Sequence, residues 1–268
     1  MERPKARLKI ALVGCGAMGS ALLKGWLSLD HFETFWVIAP HKESVDPFLE
    51  DPRVHWLASP QDLPQTPDAL IFAVKPFLLE AILPLYQSLK TLIISVAAGK
   101  PLSFYETYFP ESSIIRVMPN LSVSLHQGVL GLLANKQMTS SQKAKVDDCF
   151  QNLGFSLWVN SDEDIDKLTA ISGSGPAYVF YLIESLAEAA EVLGFEEKTA
   201  TSLALQTFLG ASLTAQASEF SPTILRQHVT SAKGTTAAAL EVLEEGQLKN
   251  LMAAAVVAAF ERTKELRE

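Results

Sequence analysis

Leu8-Lys9-Ile10-Ala11-Leu12-Val13-Gly14-Cys15-Gly16-Ala17-Met18-Gly19 is the stretch on which the reading of this chain turns. Its first six residues are apolar at five positions, as in a buried strand. The residues after the glycines, 17–29, follow a helical pattern with Ala21, Leu22, Gly25 and Trp26 near one face. Between them stands G-x-G-x-x-G, which is informative when it closes a strand and opens a helix. In that setting Gly14 permits a tight turn, and Gly16 admits a pyrophosphate with no Cβ in the way. Gly19 lets helix and strand pack closely. The first N–H groups of the helix and its partial positive charge then point at the phosphates. The plainer alternative is an ordinary glycine-rich turn. Gly14, Cys15, Gly16, Ala17, Met18 and Gly19 are therefore candidate cofactor-binding residues.

Outward from this stretch, short apolar runs alternate with helical patterns. Strands are expected at 8–13, 35–39, 69–74, 92–96, 114–117 and 128–134, the last as an edge strand. A short extended piece begins at Leu57, and 155–159 reads as one more strand. Helices are expected at 76–89 and 140–153. Runs of Ile, Val and Leu on both parities indicate a parallel sheet covered on both faces. Strand–helix alternation indicates a doubly wound fold. Beyond Ser161-Asp162 the strands stop. A long helical stretch over 162–193 is interrupted by Gly173, Gly175 and Pro176, with Leu182, Leu186, Ala189 and Leu193 as one apolar stripe. Further helices are expected at 197–218, 222–229, 236–243 and 247–266. The fold class is α/β: a Rossmann-type, mostly parallel sheet over 1–160, followed by an all-α domain over 161–268. So small an Ala- and Leu-rich helical unit buries too little surface to stand alone, and self-association would supply the rest.

Composition narrows the function. The chain has 268 residues, 48% hydrophobic and 19% charged, with a formal net charge of −8, which fits a globular protein. No Lys/Arg cluster offers a nucleic-acid footprint. Basic residues precede Leu12-Val13-Gly14-Cys15, which resembles a lipoprotein cleavage box. Lys9 interrupts the apolar stretch, however, and leaves it far short of the roughly 7–15 residues of a secretory core. The apolar run at 251–260 falls well below the ~20 residues that span a bilayer. Two cysteines, Cys15 and Cys149, make no disulfide framework, and no His/Cys cluster has metal-ligand spacing, so no metal is expected.

The end of the second strand bears on the cofactor. An acid there would bind the ribose hydroxyls of NAD(H). This chain has Ala39-Pro40-His41-Lys42-Glu43-Ser44, where His41, Lys42 and Ser44 suit a 2′-phosphate, so NADP(H) is favoured over NAD(H). The alternative is a solvated turn. Ala73-Val74-Lys75-Pro76, Val96-Ala97-Ala98-Gly99 and Arg116-Val117-Met118-Pro119-Asn120 each follow a strand, at the ends where open α/β sheets bind ligands. Then come Ser172-Gly173-Ser174-Gly175-Pro176-Ala177, Val229-Thr230-Ser231 and Gly234-Thr235-Thr236 ahead of a new helix.

This ordered set resembles the pyrroline-5-carboxylate reductase family over essentially the whole chain. The resemblance implies a Rossmann domain followed by a helical dimerisation domain, in homodimers that often assemble further, commonly into a decamer. It implies an enzyme of proline biosynthesis that reduces 1-pyrroline-5-carboxylate to L-proline with NAD(P)H, while the two free thiols, Cys15 and Cys149, fit a reducing cytoplasm. Val74, Lys75, Pro76, Ala97 and Ala98 would line the cofactor cleft, with Lys75 acting through its backbone, and Asn120 would lie near the nicotinamide. Glu219, Ser231, Gly234, Thr235 and Thr236 would form the substrate pocket, with Thr236 hydrogen-bonding the imine nitrogen as the catalytic residue. The chemistry is coherent: N–H groups at a helix start receive a carboxylate, and a hydroxyl serves the nitrogen as it becomes an amine. Each assignment has a plainer rival. Thr235 and Thr236 can cap a helix, Gly173 and Gly175 can allow a kink, and Glu219 can be a surface acid.

The chain departs from the family pattern twice. Met-Pro-Asn-Thr-Pro becomes Met118-Pro119-Asn120-Leu121-Ser122, and Ser-Pro-Gly-Gly becomes Ser231-Ala232-Lys233-Gly234. Lys233 costs roughly 1 kcal/mol if its position needs positive φ, and it alternatively brings a charge to the carboxylate. Two other readings follow: a reductase of a related cyclic imino acid, or a weakened nucleotide-binding paralogue.

Overall fold

The structure, a computed structural model, describes residues 7–267. The first six residues of the expected sheet domain, including basic residues read ahead of the glycine motif, lie outside the described residues, as does residue 268.

Eight strands form one sheet in the order β3-β2-β1-β4-β5-β6-β7-β8. They are β1 (Leu8–Val13), β2 (Phe32–Ile38), β3 (Val54–Leu57), β4 (Ala69–Phe72), β5 (Leu92–Ser95), β6 (Ile114–Met118), β7 (Gly128–Ala134) and β8 (Gly154–Trp158). All neighbours pair in parallel except β6 and β7, which are antiparallel. The order reverses between β1 and β4, which makes that gap the switch point where doubly wound sheets bind ligands. Alternate residues of β1 feed two cores. Ile10 and Leu12 pack with Leu22, Leu23 and Trp26 of α1 (Ala17–Leu27), while Ala11 and Val13 pack with Leu79, Leu83, Tyr86 and Tyr105 on the other face. Trp26 stacks on Phe35 at 6.0 Å, and its indole N–H donates to the carbonyl of Cys149 at 2.7 Å.

Three expectations need correction. The strand at β7 is interior, and β8 is the edge. Gly128 and Gly154 pair across the two strands, and a Cβ on Gly154 would lie 2.0 Å from the Gly128 carbonyl oxygen. This bare backbone contact lets β8 dock. Leu57 ends its strand instead of beginning one, because the pairing with β2 runs from Val54. The helix expected at 76–89 is a single α turn, α2 (Leu79–Ile82), between 3-10 turns at Pro76–Leu78 and Leu83–Tyr86. Pro84 has no N–H to give an α-helix.

A helix not expected from the sequence, α3 (Leu102–Tyr108), follows Pro101. Its start is held from afar, since the N–H of Leu102 donates to both carboxylate oxygens of Asp162, at 3.1 and 3.3 Å. α4 (Ser140–Phe150) begins with a capping box of Thr139 and Gln142. The long helical stretch divides into α5 (Asp162–Leu168), a π turn at Thr169–Gly173, and α6 (Gly175–Val192) with Pro176 in its first turn. Then follow α7 (Glu197–Ala217), α8 (Pro222–His228), α9 (Thr235–Glu245) and α10 (Leu248–Glu265).

The chain separates into two compact units. One holds the sheet, α1 to α5 and the segment from Phe260 on, and the other is Ser174–Ala259. Strands stop at Trp158, whereas the packing changes at Gly173. The reason is that α5 lies on β7, and a Cβ on Gly131 would meet Leu168 at 2.6 Å. Within the second unit, Leu205, Leu209 and Leu213 of α7 form a stripe at four-residue spacing that the chain itself leaves half-exposed. Leu186 and Leu193 of the expected α6 stripe are likewise exposed. Among the described residues, no helix is long and apolar enough to cross a membrane.

Candidate active site

The glycine loop leaves β1 at the switch point. Gly14 takes φ +94°, and a Cβ there would press on Ala73 and Val74, the residues just past β4. A Cβ on Gly19 would lie 2.3 Å from the Gly14 carbonyl oxygen, so α1 can approach the loop only with glycine there. Gly16 is different. It is the N-cap of α1, makes no side-chain cap bond, and has nothing within 4 Å of where its Cβ would be. That open space, in front of uncapped N–H groups of Ala17, Met18 and Gly19, is a cradle for an anion that a side chain would fill. Cys15 lies buried in the loop, and burial pushes its thiol up to about 11, so it stays protonated and takes no nucleophilic part.

The other candidate cofactor residues gather along the same edge of the sheet. β2 ends at Ile38, and His41 caps a 3-10 turn at Lys42–Ser44. His41 and Lys42 are exposed, with the Lys42 ammonium 3.9 Å from Asp46, and no acid occupies the strand end. Val74, Lys75 and Pro76 follow β4, where Lys75 is extended and solvent-facing and sets the turn before Pro76. Ala97 and Ala98 follow β5. The Ala97 N–H donates to the hydroxyl of Ser95 at 3.3 Å, and Ser95 donates to the Tyr105 hydroxyl at 2.6 Å. Burial pushes Tyr105 up to about 12.

Asn120, past β6, is buried and engaged. Its amide donates to the Ser172 carbonyl at 2.9 Å and accepts the Val129 N–H at 3.3 Å, tying the π turn to β7. Its carbonyl also starts the 3-10 turn at Leu121–Leu125, where Leu121 is exposed in place of the family's threonine. Gly173 leaves room for Met118, while Gly175 meets nothing within 4 Å.

In the second unit, Ser231-Ala232-Lys233-Gly234 is a tight turn closed by the Gly234 N–H donating to the Ser231 carbonyl at 3.0 Å. Lys233 takes φ +60°, and Ala232 is not among the positive-φ residues, the pattern of a type II turn. Such a turn favours Pro at its second position and glycine at its third, which explains the family's Pro-Gly and the cost carried here. Gly234 is the N-cap of α9, with no side-chain cap bond. Thr235 and Thr236 occupy the first helical turn, and neither hydroxyl caps the helix. The first-turn N–H groups thus stand beside the Ser231 hydroxyl and the Thr236 side chain. Glu219 is exposed in the link after α7.

Sequence reasoning missed the supports behind the loops. Arg116 on β6 is buried and ion-paired with Asp162. Asp166, one helical turn on, is 1% exposed. No local motif announces these residues, since their partners lie far along the chain.

Comparison with known proteins supplies the family. Residues 162–266 match the model described as pyrroline-5-carboxylate reductase dimerisation. Residues 9–99 match that described as NADP oxidoreductase coenzyme F420-dependent. A pyrroline-5-carboxylate reductase of Pseudomonas aeruginosa is 34% identical, over 97% of each chain. A solved pyrroline-5-carboxylate reductase of Coxiella burnetii superposes with a TM-score of 0.90 at 35% identity, covering 97% of this chain and 99% of that one. The Plasmodium falciparum pyrroline carboxylate reductase, solved with NADP bound, gives a TM-score of 0.86 at 30% identity, covering 97% and 98%. Since this likeness runs from the glycine loop to the last helix, the chain belongs to the pyrroline-5-carboxylate reductase family.

Proposed function

We infer that this protein reduces 1-pyrroline-5-carboxylate to L-proline with NADPH, the last step of proline biosynthesis. The observation that carries the reading is the end-to-end similarity to reductases of that name. NADP(H) is the cofactor, and it supplies a hydride to the imine carbon. The residues present fit it: Gly16 leaves open space before the uncapped N–H groups of α1, and the turn after β2 brings His41, Lys42 and Ser44, beside Glu43, where an acid would otherwise end the strand.

The finer assignments are our reading of this geometry. His41 and Lys42 hold the 2′-phosphate. Val74, Lys75, Pro76, Ala97 and Ala98 contribute backbone and small side chains to the cleft wall. Asn120 lies near the nicotinamide, its amide also donating to the Ser172 carbonyl and accepting the Val129 N–H, which among the described residues leaves one N–H free. Gly234, Thr235 and the Ser231 hydroxyl offer donors to the substrate carboxylate, and Thr236 donates to the ring nitrogen. Glu219 lies at the rim of the pocket. A threonine hydroxyl is a weak acid, so it positions and polarises the imine and passes on a proton from water. By sequence we assign the sheet domain to 1–160 and the helical substrate and dimerisation domain to 161–268, although α5 and the segment from Phe260 on pack with the sheet. The working form is a cytoplasmic homodimer joined through the helical domain, assembled further as a decamer.

The departures at Ala232 and Lys233 fall in the carboxylate turn, which favours a second reading with a related cyclic imino acid as substrate. NADPH oxidation followed optically with pyrroline-5-carboxylate, with piperideine-6-carboxylate and with neither separates the two. Turnover of the first alone is the expected result. Turnover of the second alone establishes the other substrate, and tight NADPH binding without turnover of either overturns both.

A further inference from the structure

The loop at 96–101, which leaves β5 for α3, is braced at three points. At its start the Ala97 N–H rests on Ser95, itself bonded to Tyr105. At its end the Leu102 N–H rests on Asp162, which Arg116 also engages. At its middle Gly99 takes φ +77°, and a Cβ there would lie 3.0 Å from the Leu266 carbonyl oxygen. The residue that follows, Arg267, sets its Nε 3.0 Å from Oδ2 of Asp166, close enough to pair though not aligned as a hydrogen bond.

Asp166 is 1% exposed, and among the described residues no hydrogen bond reaches its carboxylate. Burial pushes its carboxyl above the usual range; Arg267 first, then Arg116, pulls the other way, while Asp162 and Glu163 add to the push. Arg116 is already committed to Asp162, so Arg267 is the cation that Asp166 depends on. A buried carboxylate left without a partner is strongly unfavourable. The ion pair therefore fastens the segment after α10 to α5, in the position where its backbone covers Gly99.

We propose that Arg267 is a positioning residue for the nucleotide: by clasping Asp166 it holds Leu266 against Gly99 and keeps 96–99 in the shape that accepts the cofactor. This rests on the assignment of Ala97 and Ala98 to the cofactor cleft. It sets Arg267 apart from an ordinary surface pair, whose loss would leave the loop and its ligand untouched.

The test uses the full chain with Arg267→Ala, Arg267→Lys, and the double variant Asp166→Asn with Arg267→Met. The double variant removes both charges and so spares the fold the buried unpaired carboxylate. NADPH dissociation constants, steady-state kinetics and thermal midpoints are measured for each. In Arg267→Ala and the double variant, Kd and KM for NADPH should rise about five- to tenfold, with kcat within about twofold and KM for the imine unchanged. Arg267→Lys should restore most of the affinity. Unchanged NADPH affinity in both charge-removing variants overturns the proposal. So does a loss of kcat and thermal midpoint at constant KM for NADPH. Failure of the unaltered protein to bind NADPH would instead bring down the functional reading, and this one with it.

Discussion

Lys233 shows how one side chain can sit against its own backbone. The turn it occupies needs φ +60°, a region that costs a residue with a Cβ about 1 kcal/mol. Lys233→Gly should therefore raise the unfolding free energy in urea by about 1 kcal/mol, less the entropy glycine gains in the unfolded chain. If KM for the imine rises as well, the ammonium serves the carboxylate. If KM is unchanged, the lysine is tolerated and no more. Thr236 presents the opposite case, a hydroxyl at the start of α9 that hydrogen-bonds no group among the described residues. A hydrogen bond to a group gaining charge is worth about 1.5–3 kcal/mol. Thr236→Ala should then lower kcat roughly 10- to 100-fold while NADPH titrations stay unchanged, and an unaltered kcat would remove it from the mechanism.

Among the elements, the β1–α1 unit separates two uses of glycine that the motif alone runs together. Gly19 is needed by the fold, because a Cβ would meet the Gly14 carbonyl oxygen at 2.3 Å. At Gly16 the fold itself makes no such demand, because a Cβ would meet nothing within 4 Å. Gly16→Ala should keep its thermal midpoint and lose NADPH affinity at least tenfold, whereas Gly19→Ala should lose several degrees of midpoint even without cofactor. This unit was legible in the sequence because strand, turn and helix are adjacent and each obeys a local rule. So were β4, β5 and β6, whose apolar runs bury on both faces. α3 was not, because the group that holds its start, Asp162, lies some sixty residues away. The interior place of β7 was hidden for a similar reason, since it depends on Gly154 returning to Gly128. For the candidate site, the loops past β1, β4, β5 and β6 could be picked out as candidates, while the Ser95–Tyr105 and Arg116–Asp162 supports behind them could not. Long-range pairs of ordinary polar residues leave no periodic or spaced signal.

For the molecule as a whole, the helical unit leaves Leu205, Leu209 and Leu213 half-exposed in a row along α7, a contiguous apolar face of the kind that marks an interaction surface. Residues 162–266 match a dimerisation model, and on our reading a second copy covers this face. Leu209→Glu should yield monomers in sedimentation velocity, and the thermal midpoint of the unaltered protein should rise with its concentration. A dimer that persists in Leu209→Glu would move the interface off α7. The sheet unit, for its part, is completed by residues from the far end of the sequence, with Leu266 over Gly99 and Arg267 on Asp166. During synthesis, therefore, every strand emerges well before the segment that packs against the 96–101 loop. A chain truncated before α10 would keep all eight strands but lack both the backbone carbonyl that packs on Gly99 and the cation that pairs with Asp166.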